Sequence, residues 1–232
     1  MMRSVLGSRA SIGGGLGSGR GAAATADWWL SGGVSAANAI AVYQPIGAAS
    51  LAASYTNLAN PGTYDAAPGV APTWASATGW TSGGAAYLTT GVVPADGASM
   101  LVRYSVNDTL DNAICGELVG PASGWFGFRF LGQLSPDVIR FYGNGGLGSA
   151  PYNSSVSNGV LGVAGTAGYI NGISVITLVG VAGATGAIRL MGYYGAETRY
   201  MQGSIQAFAI YDTALSAAQV AAISSAMSAL TG

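Results

Sequence analysis

The chain has 232 residues, 50% of them apolar and only 7% charged, and its net charge is −1. All eight basic residues are arginines, and the sequence contains neither lysine nor histidine. These absences exclude histidine-based catalytic triads, imidazole metal sites, lysine Schiff bases and phosphate loops that use lysine.

The low charge content bears on association. About a quarter of the residues are charged in an ordinary soluble domain, so an isolated monomer with this surface is expected to be poorly soluble. A GC-rich genome is one interpretation, but it does not account for the scarcity of acids. We favour a second interpretation, in which an assembly covers much of the surface. The uncharged run 141–188 is not predicted to span a membrane, because turn residues interrupt it and Arg189 ends it.

Residues 1–26 differ in composition from the rest of the chain. Glycine, serine and alanine dominate them, and their charges are Arg3, Arg9 and Arg20 with no acid. Such a segment is flexible on its own. We interpret it as an extended N-terminal assembly arm that carries these arginines, with a disordered tail as the alternative. Nucleic-acid binding is not predicted, because residues 27–232 carry more acids than arginines.

Two observations bear on the compartment. No run of seven apolar residues follows Arg3, so a secretory signal peptide is not predicted and release by lysis or another export route is favoured. The single Cys115 cannot form an internal disulfide, and its apolar neighbours predict a buried strand position.

After the arm, the paired Trp28 and Trp29 are interpreted either as core or as an exposed sticky patch. Alternating apolar residues then predict short strands that are separated by turn signals such as Asn60-Pro61-Gly62. The predicted strands lie near 39–43, 73–80, 86–91, 98–106, 125–130, 138–142, 161–170, 173–179 and 187–194. Many short strands and one terminal helix predict an antiparallel sandwich.

Two loops invite a ligand interpretation. The Asn- and Asp-rich loop 107–112 offers oxygen ligands for calcium, but its spacing fits no EF-hand, so a plain turn is favoured and no cofactor is predicted. Residues 143–148 match Gly-x-Gly-x-x-Gly, yet Pro151 and serines follow instead of a helix. Dinucleotide binding is therefore not predicted.

Acid-based catalysis is the remaining enzymatic option. Retaining glycoside hydrolysis needs two carboxyl groups about 5 Å apart, which a cluster of acids a few residues apart on one strand could provide. The sequence has no such cluster, and its only glutamates, Glu117 and Glu197, are far apart. A hydrolase would require folding to bring Glu117 near Asp108 or Asp137. We predict that the protein is not an enzyme.

The C-terminal stretch has the clearest secondary-structure signals in the sequence. It begins as a strand with both faces covered; one face is predicted to carry Ile205, Ala207, Ala209 and Tyr211, and the other Phe208 and Ile210. A helix follows, with Ser216 and Gln219 as a capping box and Leu215 with Val220 as a hydrophobic staple. Its apolar stripe is predicted to consist of Val220, Ile223, Met227 and Leu230.

A hairpin lies upstream, where Asn171-Gly172 separates two apolar runs and predicts a type I′ turn. The Tyr-x-Asn-Gly hairpin, the later Gly-x-Ile-x-x-Phe-x-Ile-Tyr strand and the Leu-Ser-x-x-Gln-Val helix start together resemble the laminin-G-like branch of the concanavalin A-like superfamily. This resemblance covers about residues 37–230. The stretch 55–65, Tyr-Thr-Asn-Leu-Ala-Asn-Pro-Gly-Thr-Tyr-Asp, resembles the opening of laminin-G-like proteins encoded in tailed-phage genomes.

The resemblance implies an all-β fold: an antiparallel two-sheet jelly-roll sandwich with a short C-terminal helix. The leading hypothesis is a non-enzymatic structural protein of a phage virion, capsid-decorating or tail-associated, which forms homo-oligomers or binds other virion subunits through its arm. The alternative is a carbohydrate-binding or adhesion module, extracellular or at the cell surface. Its candidate residues for stacking on a cell-surface glycan are Trp125, Tyr142 and Tyr152. A subunit of an extracellular filament is the third hypothesis.

Overall fold

The computed structural model describes residues 27–106, 112–118, 126–131, 138–143, 146–151, 157–179, 184–195 and 199–232. The predicted arm with Arg3, Arg9 and Arg20 lies outside this part of the chain. The described residues contain two α-helices, α1 (Leu51–Ser54) and α2 (Ala217–Ser228), and two single-turn 3-10 helices at Trp28–Leu30 and Ala36–Asn38.

Strands are the predominant secondary structure of the described chain. In chain order, its strands are β1 (Ala39–Tyr43), β2 (Ala67–Val70), β3 (Thr73–Ala75), β4 (Gly79–Gly83), β5 (Tyr87–Thr89), β6 (Ser99–Val106), β7 (Asn112–Leu118), β8 (Phe126–Leu131), β9 (Val138–Gly143), β10 (Gly146–Pro151), β11 (Asn158–Ala164), β12 (Ala167–Ile170), β13 (Ile173–Thr177), β14 (Arg189–Leu190), β15 (Tyr193–Gly195) and β16 (Gln202–Tyr211).

The strands form two sheets that face each other as a sandwich. The first sheet has the order β13-β12-β11-β6-β16-β4-β3, and β1 also pairs with β16. The second sheet has the order β10-β9-β8-β7-β14-β5-β2, and β15 also pairs with β7. All pairs are antiparallel except that of β15 with β7. The predicted all-β, two-sheet sandwich with one C-terminal helix is confirmed.

Two separate cores hold the sandwich together. The inter-sheet core fills the space between the sheets with large side chains, among them Tyr43, Trp80, Tyr104, Phe126, Phe128, Phe141 and Phe208. The helix-side core lies on the outer face of the first sheet and contains Trp28, Trp29, Leu101, Tyr169, Tyr211, Val220, Ile223 and Met227. The two tryptophans are therefore core residues and not an exposed patch. Burial of this much apolar surface supplies most of the driving force for folding.

The strand β16 lies between both cores, as the alternating apolar pattern predicts. Phe208 and Ile210 face the inter-sheet core, whereas Ala207, Ala209 and Tyr211 face the helix-side core. One predicted orientation is wrong: Ile205 belongs to the inter-sheet core. The pairing of β16 with β6 shifts register between Ile205 and Ala207, and such an irregularity displaces the alternation by one residue.

The helix α2 begins as the sequence predicts. The Ser216 hydroxyl accepts a hydrogen bond from the Gln219 backbone N–H at 3.3 Å, and the Gln219 Oε1 accepts one from the Ser216 N–H at 2.9 Å. Leu215 and Val220, the predicted staple, are both buried in the helix-side core. The predicted stripe is confirmed, with three buried members and one half-buried member: Val220, Ile223, Met227 and Leu230.

Turns divide two of the predicted strands, and the predicted hairpin turn is present. Asn171 and Gly172 both have positive φ, 51° and 80°, so the type I′ hairpin between β12 and β13 is confirmed. The single strand predicted at 161–170 is instead two strands, β11 and β12, because the chain turns at Gly165 with φ of 56°. Similarly, Met191 with φ of 63° divides the strand predicted at 187–194 into β14 and β15.

Besides the two 3-10 helices, three elements are absent from the sequence prediction: α1, β2 and β10. The last of these begins at Gly146 within the Gly-x-Gly-x-x-Gly match. A strand at this position agrees with the rejection of a dinucleotide site, which needs a helix there. Among the described residues, no helix combines the length and apolar character that a membrane crossing requires.

Candidate functional site

The two sheets differ in what covers their outer faces. The helix α2 packs on the first sheet, where it contacts β6, β11 and β13. The second sheet has one face in the inter-sheet core and an outer face that α2 does not cover. This outer face is the candidate functional site.

Strand register identifies the side chains on each face, because residues directly opposite each other on neighbouring strands share a face. One row across β9, β8, β7, β14 and β5 is entirely in the inter-sheet core: Phe141, Phe128, Cys115, Leu190 and Leu88. The adjacent row therefore lies on the outer face, and it consists of Tyr142, Gly127, Gly116, Arg189 and Thr89.

The centre of this outer row has no side chain. Gly116 and Gly127 have φ of 146° and 155°, and a Cβ at either position would collide with the backbone of the neighbouring strand. Tyr193, which pairs with Gly116, reaches across β7, and its hydroxyl lies 3.4 Å from the Phe128 carbonyl oxygen. The tyrosine ring can cross this strand because glycine leaves the space open.

An aromatic and cationic stack lies at one side of the outer face. The Arg189 guanidinium carbon is 4.1 Å from the centroid of the Tyr87 ring. The rings of Tyr87 and Tyr200 are stacked, with centroids 5.8 Å apart and an interplanar angle of 24°. Arg189 Nη1 also donates a 2.8 Å hydrogen bond to the Tyr193 carbonyl oxygen, which fixes the guanidinium. All three members of this stack, Tyr87, Arg189 and Tyr200, are half-buried.

A second cationic position lies on the other side of the same face. Arg140 is two residues from Tyr142 on β9 and therefore shares its outward orientation. It is half-buried, and its buried Nε has no hydrogen-bond partner in the described part of the chain. The register places Arg129 of β8 and Ser149 of β10 directly opposite it on the two neighbouring strands.

The structure describes only one of the three residues that were predicted to stack on a glycan. Tyr142 lies on the outer face, but it is fully buried. Its ring therefore offers no free face to a sugar, and its selection as a stacking platform is wrong. Trp125 and Tyr152 lie outside the described residues and stay predictions. The sequence does not predict the site residues Tyr87, Tyr200 and Arg189, because their proximity depends on strand pairing that no local motif encodes.

The described residues provide little catalytic chemistry. They contain no group of three His, Cys, Asp or Glu side chains that could hold a metal ion. Glu117 is fully buried, whereas Asp108, Asp137 and most of the calcium-candidate loop lie outside the described residues. Cys115 is buried as predicted, and burial raises the pKa of its thiol, which disfavours the nucleophilic thiolate.

A polar cleft also occurs on the first sheet. It has a volume of about 340 Å³ and is lined by Arg103, Tyr104, Ser105, Asn158, Gly159, Gln206 and Ser228. Arg103 donates 2.8 Å hydrogen bonds to the carbonyl oxygens of Met227 and Leu230 at the end of α2. Because its cation already serves the helix terminus, this cleft is the weaker candidate.

Comparison with known proteins bears on the fold. No protein-family model and no curated protein matches the sequence. Solved structures do match. Domain 4 of the extracellular GH43 arabinanase AbnA from Geobacillus stearothermophilus, in complex with arabinotriose, has a TM-score of 0.55 at 13% identity, covering 81% of this chain and 98% of that domain.

Two other solved structures have a similar sandwich. A Trypanosoma rangeli sialidase mutant with trans-sialidase activity has a TM-score of 0.56 at 13% identity, covering 84% of this chain and 34% of the enzyme. The botulinum neurotoxin serotype D/C binding domain has a TM-score of 0.50 at 13% identity, covering 83% of this chain and 53% of that domain. The chain thus spans a third of the sialidase and half of the toxin domain. At these identities the likeness concerns the fold, a jelly-roll-like β-sandwich.

Proposed function

We propose that this protein is a carbohydrate-binding or adhesion module whose ligand contacts the outer face of the second sheet. The observation that carries the proposal is the stack of Tyr87, Arg189 and Tyr200. A partly exposed ring that is held by a second ring and a guanidinium is a rigid apolar surface, and ordering it on binding costs little entropy. A sugar combines apolar C–H faces with hydroxyl groups, and the arginine N–H groups are donors for those hydroxyls.

The structural comparisons support this proposal by analogy of fold, which does not determine function. The arabinanase domain, which the chain spans almost completely, was solved with arabinotriose bound. The toxin neighbour is a binding domain. The leading sequence hypothesis, a structural protein of a phage virion, has no counterpart among these neighbours. We therefore place the carbohydrate-binding alternative first, and with it an extracellular or cell-surface location.

A self-assembling structural subunit is the second candidate. It is favoured by the edge strand β13, where Ile173 is 70% exposed and Val179, just beyond the strand, is 82% exposed. Exposed apolar edge strands are templates for pairing with another chain. The proposed arm at 1–26 would add contacts to such an assembly, in a virion or a filament. Light scattering of the purified full chain distinguishes a monomer from a defined oligomer.

We propose further that the protein binds carbohydrate without hydrolysing it. A chain without histidine or lysine has few side chains that can be tuned to transfer protons near neutral pH. No metal or organic cofactor is assigned. The test is a broad glycan array on the full chain, paired with a reducing-sugar assay on the same polysaccharides. Selective binding without sugar release supports the proposal, and an array without any binding contradicts it.

A further inference from the structure

The distribution of charge within the strands is uneven. The strands of the first sheet contain one charged residue, Arg103, and those of the second sheet contain four: Glu117, Arg129, Arg140 and Arg189. Glu117 pairs with Phe126, an inter-sheet core residue, so it lies at an inner-face position. The described strands thus place three arginine positions and no acid on the outer face of the second sheet.

Two of these positions are direct cross-strand partners. Arg129 on β8 and Arg140 on β9 are opposite each other in the antiparallel register. Like charges directly opposite on neighbouring strands are destabilising. Two of the eight basic residues of the chain thus occupy directly opposed positions on one face of the sheet, an arrangement that lowers stability unless an anion neutralises the charges.

Arg140 is well suited to bind a hydrogen-bond acceptor of a ligand. It is half-buried, which weakens the competition from water, and its buried Nε lacks a hydrogen-bond partner within the described residues. A buried donor without a partner is destabilising, so a ligand oxygen that reached it would recover stabilisation. The planar fork of a guanidinium matches a carboxylate or sulfate, which can accept two parallel hydrogen bonds.

We propose that the outer face of the second sheet binds an acidic glycan, whose carboxylate or sulfate group is received at Arg140, beside the Arg129 position. This inference rests on the proposed carbohydrate-binding function and names its ligand class. Arg140 and Arg189 are three strands apart, about 14 Å across the sheet at the usual strand spacing. The ligand is therefore an oligosaccharide, with its charged unit at Arg140 and a further unit at the stack of Tyr87, Arg189 and Tyr200.

The experiment is a glycan array of neutral, carboxylate-bearing and sulfated oligosaccharides. Each acidic hit is then titrated against its carboxyl-reduced or desulfated form, which removes the charge and keeps the sugar framework. We expect acidic hits, a dissociation constant that rises with salt, and loss of binding after reduction or desulfation. The carboxyl-reduced and desulfated arms also distinguish the two sources of negative charge.

Three variants of the full chain test the role of Arg140 in binding the acidic group. Arg140→Gln is expected to raise the dissociation constant about 10- to 100-fold, the effect of one charge-assisted hydrogen-bonded contact. Arg140→Lys keeps the charge but loses the fork, and it is expected to bind between the wild type and Arg140→Gln. Arg103→Gln removes the same charge from the opposite sheet and is expected to leave binding unchanged. Thermal melting checks that each variant is folded. If Arg140→Gln is not folded, the affinity of Arg140→Lys provides the test.

The outcomes separate this inference from the function on which it rests. Equal affinity for neutral and acidic forms, or equal weakening by Arg103→Gln and Arg140→Gln, would overturn the acidic-glycan inference and leave carbohydrate binding standing. Absence of binding to every glycan would overturn both. Selective loss of acidic binding in Arg140→Gln supports both.

Discussion

Arg103 Nη1 donates a 2.8 Å hydrogen bond to the carbonyl oxygen of Met227 and joins the centre of the first sheet to the last turn of α2. The same nitrogen also reaches the Leu230 carbonyl oxygen at 2.8 Å. The last carbonyl groups of a helix have no intrahelical donors, and a cation at this end also complements the helix dipole. Burial lowers the pKa of this guanidinium from its ordinary value, but arginine stays charged in proteins.

The first prediction concerns this cap. Arg103→Gln should lower the free energy of unfolding by about 1–3 kcal/mol, because two helix-terminal carbonyl groups lose a charged donor. Arg140→Gln removes the same charge, and because Arg140 does not cap a helix within the described residues, this variant should cost less. Urea denaturation of both variants measures the difference. Equal costs would show that the Arg103 cap contributes nothing beyond its charge.

The second prediction concerns Asn57, which is fully buried beside β1. Its Oδ1 accepts hydrogen bonds from the N–H groups of Val42 at 2.9 Å and Ala59 at 3.1 Å. Its Nδ2 donates to the carbonyl oxygens of Ile40 at 2.9 Å and Thr63 at 2.8 Å. This one amide thus ties the loop after α1 to the backbone of β1.

Asn57→Ala should cost about 3–5 kcal/mol, because four backbone groups lose their partner in a buried setting. The exposed Asn158→Ala is the matched control and should change the free energy of unfolding by less than about 0.5 kcal/mol. Chemical denaturation again provides the measurement. A small effect at Asn57 would mean that water replaces the amide and that the loop is not held through it.

Some features of the fold are readable from the sequence. The predicted turn at Asn60-Pro61-Gly62 is one of them, and Gly62 has a φ of 86°. The capping box and the type I′ turn are likewise decided by adjacent residues. Such local features are predictable because the interacting groups are neighbours in the chain.

The candidate site was not predictable by the same means. Tyr87, Arg189 and Tyr200 come together only through the pairing of β5 with β14 and the bridge between Gly192 and Tyr200. Ile205 was misplaced because a register shift in β16 is set by its neighbouring strand. Tyr142 is recognisable from the sequence as an aromatic strand residue, but its burial depends on the assembled fold.

The third prediction compares packing with capping at the C-terminal end. Phe208 is fully buried in the inter-sheet core, so Phe208→Ala should cost about 3–5 kcal/mol through lost burial and a cavity. Ser216→Ala removes the cap of α2 and should cost only about 1 kcal/mol. Thermal and urea unfolding of both variants provide the comparison. Similar costs would contradict the assignment of β16 as the centre of the core.

The fourth prediction concerns alkaline pH. Burial raises the pKa of the Tyr211 phenol, whose hydroxyl donates a 2.9 Å hydrogen bond to the Trp29 carbonyl oxygen. Burial, with a smaller contribution from Asp65, also raises the pKa of Tyr43. A group with a raised pKa in the folded state contributes stability below its unfolded pKa, about 10 for tyrosine, and this contribution is lost as the pH rises further.

The urea midpoint should therefore fall as the pH rises above about 10, and Tyr211→Phe should make this fall shallower because one of the buried phenols is gone. Midpoints measured between pH 8 and 11 provide the test. A midpoint that stayed constant over this range in the wild type would contradict the burial of these hydroxyl groups.

The stack of Tyr87, Arg189 and Tyr200 is the basis of the proposed function, and a calorimetric titration with the best glycan from the array tests it most directly. Tyr200→Ala removes one ring of the stack. Tyr64→Asn removes a 45% exposed ring that is not part of this stack and keeps a residue that tolerates the positive φ of 58° at that position.

We expect Tyr200→Ala to weaken glycan binding about 10-fold or more while remaining folded, since a ring contact is typically worth 0.5–1.5 kcal/mol beyond its buried area. Tyr64→Asn should bind like the wild type. If Tyr200→Ala binds the glycan with unchanged affinity, or if Tyr64→Asn loses as much affinity, the outer face of the second sheet is not the glycan site.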